Sequence, residues 1–172
     1  MSVLVHVLAV PLAYVYATAL EWGIHRYLFH GYGKKRGSAF SFHYVEHHGA
    51  CRRSNMSDPD YVRSGVRWSP RTREIGGILG LGLLHLPLAV LSWPAFLIFA
   101  AHGARYIHLH HRSHVDVDWG KRHLPWHYDH HMAPNQDANW CVTGEWFDKL
   151  MGTRVPYLTT QGRDPKRDDL AA

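Results

Sequence analysis

Five imidazoles, His25, His30, His43, His47 and His48, stand in the stretch HRYLFHGYGKKRGSAFSFHYVEHHGA, and five more, His110, His114, His127, His130 and His131, follow in YIHLHHRSH and HYDHH. Neutral imidazole is a ligand for zinc, copper, iron and nickel, and it is costly enough to bury that it rarely serves as filler. The sixteen histidines of the chain outnumber its fourteen carboxylates, so the bias is a functional signal. Spacing sorts the ten into His25-x4-His30, His43-x3-His47-His48, His110-x3-His114 and His127-x2-His130-His131. A single mononuclear site rarely takes more than about four or five ligands, so the set suggests two metal ions. Imidazole alone does not choose the element.

Helical geometry tests which of these rings can converge. At about 100° per residue, positions four apart differ by about 40°, which places His43 with His47, and His110 with His114, on shared faces. His127, His130 and His131 also share one. His25 and His30, five apart, stand about 140° apart on an ideal α-helix, so that helix has to end or distort between them for both to aim inward.

The elements that must position these groups read as membrane helices. Residues 2–20 carry no charged side chain, and Trp22 and Tyr27 follow where an interfacial aromatic belt lies. This is read as a first span that is not cleaved, since no Lys or Arg precedes the apolar run as in a signal peptide. From Gly76 to Ala104 another 29 residues lack Asp, Glu, Lys and Arg. A single helix of that length reaches about 43 Å, beyond a hydrocarbon core of about 30 Å, so the run is split into Ile75–Leu91 and Pro94–Ser113 around Ser92 and Trp93. Such a hairpin returns the histidines after residue 110 to the side that holds those at 25–48. Residues 31–74 carry nine Lys or Arg, residues 112–172 carry eight, and the hairpin turn carries none, which orients both histidine regions to the cytoplasm.

The expected fold is therefore all-α: a first span plus a helical hairpin, about three membrane helices, with a cytoplasmic helical cap that carries a histidine-rich di-metal site. The chain reads as a single domain over 1–172, with its core at about 20–153 and a frayed tail at 158–172. Cys51 and Cys141 form no CxxC pair and are expected as reduced thiols. The net charge of +5 is compatible with nucleic acid in bulk, but the basic segment CRRSNMSDPDYVRSGVRWSPRTR is assigned to anionic lipid headgroups, and no nucleic-acid partner is expected. No GxGxxG or CxxCH motif marks a flavin, nicotinamide or haem site.

The order HX4H, HX3HH, HX3H, HX2HH, with apolar helices between the second and third groups, resembles the fatty acid hydroxylase and sterol desaturase superfamily of membrane di-metal oxygenases. YIHLHHRSH is similar to that family's Tyr-x3-His-x3-His, HYDHH to its last histidine box, and NWCVTGEWFDKLMGT to its C-terminal signature, with Cys141 where the family commonly carries Gly. HRYLFHG is also similar to the related carotenoid hydroxylases. The resemblance covers about residues 20–153. It implies a centre of two iron ions that uses dioxygen, as co-substrate, to hydroxylate an unactivated C–H bond of a fatty-acyl, sterol-like or isoprenoid lipid. The implied ligands are His25, His30, His43, His47, His48, His110, His114, His127, His130 and His131. Electrons would come from an external ferredoxin- or cytochrome-like donor steered by the basic surface.

Glu46 and Asp129, inside the boxes, are candidates to accept the second N–H of a ligand imidazole, and Asp148 is read as a structural cap. His6 and His85, within the predicted spans, are assigned interhelical hydrogen bonds. His102, His108, His111 and His123 flank the proposed ligands and are possible replacements for one of them. A desaturase on the same centre, a zinc-dependent membrane hydrolase and a non-catalytic metal carrier remain alternatives. Zinc is also a substitute metal for the same ligands.

Overall fold

The computed structural model describes residues 3–63 and 65–160, and these are helices joined by turns, with no strand among them. Helix α1 (Val3–Gly23) runs without interruption into a π-helical segment, Ile24–Tyr32, and a second π-helical segment, Phe42–His48, leads into α2 (Gly49–Arg53). Then come α3 (Pro59–Val62), α4 (Pro70–Leu84), α5 (Leu86–Val115), α6 (Val117–His123), α7 (Pro125–Met132) and α8 (Trp146–Leu150). Much of the predicted tail, residues 161–172, lies outside the described residues.

Local sequence explains where the helices begin. Ser69 and Thr72 form a reciprocal capping box at the start of α4, with Pro70 in the first turn, where its missing N–H costs nothing. Asp58 caps α3 through Asp60 N, and Asp116 caps α6 through Trp119 N. Gly33 closes the first π-helical segment, where a Cβ would collide with the carbonyls of Phe29 and Phe40.

Two helices, Val3–Tyr32 and Leu86–Val115, are long and apolar enough to cross a membrane. They expose apolar side chains such as Val3, Leu12, Val90 and Leu97 on their outer faces, as surfaces solvated by lipid do. Side-chain pairs give the directions of the helices. His6 bonds to Ser92, Tyr16 stacks on Phe99, and Glu21 meets His102, so α1 and α5 run parallel. His85 stacks on Phe99, and Glu74 meets Tyr106 and His110, so α4 runs antiparallel to both.

These α4–α5 pairs centre on Ser92, where the backbone leaves helical geometry (φ −160°, ψ 94°). The hairpin turn therefore sits where the sequence places it, but the first arm departs from expectation. It starts at Pro70 and breaks again at His85, just before Pro87, instead of running unbroken from Ile75 to Leu91. His6 and His85 each make the interhelical hydrogen bond expected of them, to Ser92 and to Tyr16.

The C-terminal segment folds back onto the end of α1. Trp22, Trp140, Cys141 and Phe147 form one buried cluster, and Trp22 Nε1 donates to Thr153 Oγ1. Both cysteines are free thiols, as expected. Asp148 is fully buried and accepts from Trp140 N (2.9 Å), Cys141 N (2.8 Å) and Thr153 Oγ1 (2.7 Å), the bracing role its sequence position suggests. Asn139 takes the left-handed conformation (φ 59°) that Asn tolerates, and its side chain ties Val155 and Arg154 to this loop. Because Asp148→Ala strands several buried donors, it is expected to cost about 3 kcal/mol, read as a lower unfolding temperature in detergent, and Asp148→Asn to cost less.

Candidate metal centre

All ten of the histidines selected from the boxes are buried, and they meet at the end of the bundle where α1 finishes, α4 begins and α5 returns. The first π-helical segment explains how His25 and His30 both reach it. In a ladder whose bonds run from i to i+5, residues five apart stack on one face, and the two rings lie 5.2 Å apart between centroids. The distortion demanded by the x4 spacing is thus a lengthened helical turn.

The second π-helical segment corrects the expected pairing of His43 with His47. Here His43 and His48 share a face, with centroids 5.0 Å apart, while His47 turns to a different group. Likewise α7 does not present its three histidines to one place: His130 joins one group, His131 joins the other, and His127 lies beside the latter. The first group is His25, His30, His43, His48 and His130, and the second is His47, His110, His114 and His131; within each, one nitrogen from every ring lies within 4.8 Å of the others. His127 adjoins the second group through His114, Nε2 to Nε2 at 3.2 Å. The groups abut, His48 and His131 lying 4.1 Å apart between ring centroids.

Hydrogen bonds on the outer side of the rings fix which nitrogen is free. A carbonyl or carboxylate oxygen facing Nδ1 can only accept, so that nitrogen carries the proton and Nε2 is left with its lone pair. Nδ1 of His25 donates to Trp140 O, that of His130 to Ala138 O (2.7 Å) and that of His114 to Met56 O (2.8 Å). Nδ1 of His110 donates to Glu74 Oε2 (2.7 Å) and that of His47 to Asp58 Oδ2 (2.6 Å). Glu74, itself buried, is held by the hydroxyls of Tyr61 (2.7 Å) and Tyr106 (2.8 Å). Asp58 divides its two oxygens between His47 and the cap of α3.

Inside the centre the hydrogen bonds cannot all be satisfied. His48 Nε2 lies 3.2 Å from that of His30, 3.3 Å from that of His43 and 3.1 Å from that of His130, and one proton cannot serve three contacts. Nε2 of His47, Nε2 of His110 and both nitrogens of His131 are buried with no partner among the described residues. Buried polar atoms without partners are costly, and a cation in each group would take up the lone pairs that face it. The donor set, all imidazole and backed by carboxylates and carbonyls, fits a transition metal and can hold one in each group.

Electrostatics favour the neutral ring at five of these positions but not at His47. Burial, followed by the neighbouring imidazoles, holds His43, His48, His127 and His131 well below the usual imidazole range, and burial lowers His130 to about 4. Burial also opposes protonation of His47, but Cys51 and Asp58 beside it reverse the sign and raise it to about 10. Of those two neighbours Asp58 supplies the charge, because burial pushes the Cys51 thiol up while His47 holds the Asp58 carboxyl low against its own burial. A carboxylate behind the ring in this way makes the opposite nitrogen a stronger donor.

Neither carboxylate chosen from the boxes supports a ring. Glu46 is exposed and pairs with Arg73 (3.1 Å). Asp129 is buried but accepts from Arg154 (2.8 Å) and Leu158 N (2.7 Å), bracing the C-terminal segment. Adjacency in sequence put both on the outer side of their helices. The carboxylates that support rings, Glu74 and Asp58, lie outside every box; the one available signal was a single acid, Glu74, at the mouth of an apolar run. None of the flanking histidines displaces a selected one. His102 pairs with Glu21, His123 stacks on Trp119, His108 is exposed, and His111 stands beside Tyr61.

No family model, curated protein or solved structure matches this chain. Metal analysis of the purified full chain is expected to find two transition-metal ions, with His110→Ala, which takes a ring from one group, retaining about one. Glu74→Gln should keep both sites while weakening metal affinity about 10–100-fold.

Proposed function

We propose that this chain is a membrane-bound di-iron oxygenase that hydroxylates an unactivated C–H bond of a lipid, as its resemblance to the fatty acid hydroxylase and sterol desaturase superfamily suggests. The observation that carries the reading is an apolar cavity that reaches the cluster of ten buried imidazoles through one of them, His25. That cavity, of about 730 Å³, lies between α1, α4 and α5, and its wall includes His25 of the first group together with Glu74 and Tyr106, which hold His110 of the second.

On this reading α1, α4 and α5 are three membrane helices, and the basic segments favour a centre at the cytoplasmic face. Trp68 and Val66, almost wholly exposed beside Arg63, Arg67 and Arg71, dip into the headgroup layer. A lipid then reaches the centre sideways, between helices, without entering water. His25, His30, His43, His48 and His130 would hold one iron, and His47, His110, His114, His127 and His131 the other. Bound there, the two irons would supply the reduction of dioxygen with external electrons and protons, one oxygen atom going to the carbon and the other to water.

The chain's own residues provide the placement. Glu74, Asp58 and the carbonyls of Met56, Ala138 and Trp140 lock the ring orientations, so that no reorganisation is needed when the metals bind. Apolar side chains such as Leu28, Phe29 and Ile78 exclude water from the approach. Electrons arrive from a soluble one-electron carrier of ferredoxin or cytochrome type, docked on the basic face.

The test is expression of the full chain in a lipid-producing host, with lipid extracts compared by mass spectrometry with and without oxygen. A lipid heavier by one oxygen atom, absent under anaerobiosis and absent in His48→Ala, is the expected result. An oxygen-dependent loss of two hydrogens moves the reading to desaturation, and turnover without oxygen replaces it with hydrolysis.

A further inference from the structure

The cavity wall also carries information about the head of its ligand. Most of the wall is hydrocarbon, and no Lys or Arg lines it, while two carboxylates, Glu21 and Glu74, do. A carboxylate or phosphate headgroup drawn into this space would lose its hydration, meet no cation and face like charge. The lipid the cavity accepts is therefore neutral.

Both wall carboxylates are already saturated by protein. Glu74 takes Tyr61, Tyr106 and His110. Glu21 takes Val142 N (2.6 Å) and Thr143 N (3.0 Å) on one oxygen, and Thr143 Oγ1 (2.6 Å) and His102 Nε2 (2.8 Å) on the other. The second of these sets fixes a tautomer. Nε2 of His102 donates to a carboxylate, which in the imidazole form leaves the lone pair on Nδ1, and Nδ1 has no hydrogen-bond partner among the described residues. His102 lines the cavity and belongs to neither metal group. His25, the other imidazole in this wall, has Nδ1 taken by Trp140 O and Nε2 turned into the first group.

We propose that the cavity takes a neutral lipid carrying a hydroxyl, and that His102 Nδ1 accepts the hydrogen bond of that hydroxyl. Glu21 is the positioning residue: it fixes the tautomer and clamps His102 to the 142–143 loop. His102 precedes His110 by eight residues of α5, about 12 Å along the helix axis, so a hydroxyl anchored there sets which carbon of the chain reaches the level of the centre. An apolar site with one built hydrogen-bonding partner discriminates strongly against a ligand that lacks the matching group. The inference rests on the cavity being the lipid site, and it adds the head chemistry and the residue that reads it.

The test is equilibrium binding of radiolabelled 1-hexadecanol, hexadecane and hexadecanoate to the metal-loaded full chain at equal mole fractions in detergent. The alcohol is expected to bind at least about tenfold more tightly than the other two. His102→Leu should bring the alcohol down to the level of the alkane. His102→Gln, whose amide offers both a donor for Glu21 and an acceptor for the ligand, should retain the preference. Equal binding of alcohol and alkane by the unaltered chain, tighter binding of the carboxylate, or a preference that survives His102→Leu would overturn the proposal. Because the measurement needs no turnover, failure to find oxygenase activity does not alter its outcome, and loss of alcohol selectivity does not bear on oxygen use.

Discussion

The whole architecture depends on keeping imidazole lone pairs pointed at one another in a sealed interior. Left alone, that arrangement is unfavourable, because each ring loses its hydration and the inward nitrogens cannot all find protons. What makes it tenable is that the outer nitrogens of five rings are bonded to fixed oxygens, so the inward ones are held in fixed positions facing the centre. A folded chain that spends this much buried polarity on one place is complementary to positive charge there.

The surrounding elements can be understood as the means of reaching that geometry. Two π-helical segments align rings five apart, which an α-helix does not do, and irregularities of this kind recur at functional sites. The hairpin of α4 and α5 returns His110 and His114 to the level of His25. The C-terminal segment, held by Asp148 and Glu21, contributes no ring to the centre, yet it delivers two of the carbonyls, from Ala138 and Trp140, that lock rings of the first group. This loop is thus part of the ligand scaffold.

Much of this was legible in the sequence where spacing alone decides the outcome. For His25 and His30 both to aim inward, their x4 gap called for a departure from α-helical winding, and the uncharged run interrupted by Ser92 and Pro94 called for a reversal; both are present. Division of the rings between the two groups was not legible, because it turns on whether the 42–48 segment winds as α or π, a difference of one residue in the hydrogen-bond ladder. The supporting carboxylates were hidden for another reason. Glu46 and Asp129 neighbour ligands along the chain but face away from them, whereas Glu74 and Asp58 reach His110 and His47 only across the fold. Backbone carbonyls carry no residue identity, so their role cannot be read from side-chain types. Likewise the cavity exists only once α1, α4 and α5 are packed, and its lack of Lys and Arg becomes visible only there.

A competing arrangement of the same neighbourhood would put a metal on the far side of His47, among His47, Cys51 and Asp58, where three potential ligands also approach one another. In the geometry described here that side is occupied by the His47–Asp58 hydrogen bond, and the thiol of Cys51 is kept protonated by burial. X-ray absorption at the metal edge of the loaded full chain separates the two most directly. Metals held by the two histidine groups give a first shell of light atoms at roughly 2.0–2.2 Å, dominated by nitrogen and showing the outer-shell scattering of several imidazole rings. A sulfur neighbour at about 2.3 Å, or a shell with few imidazoles, would contradict that assignment.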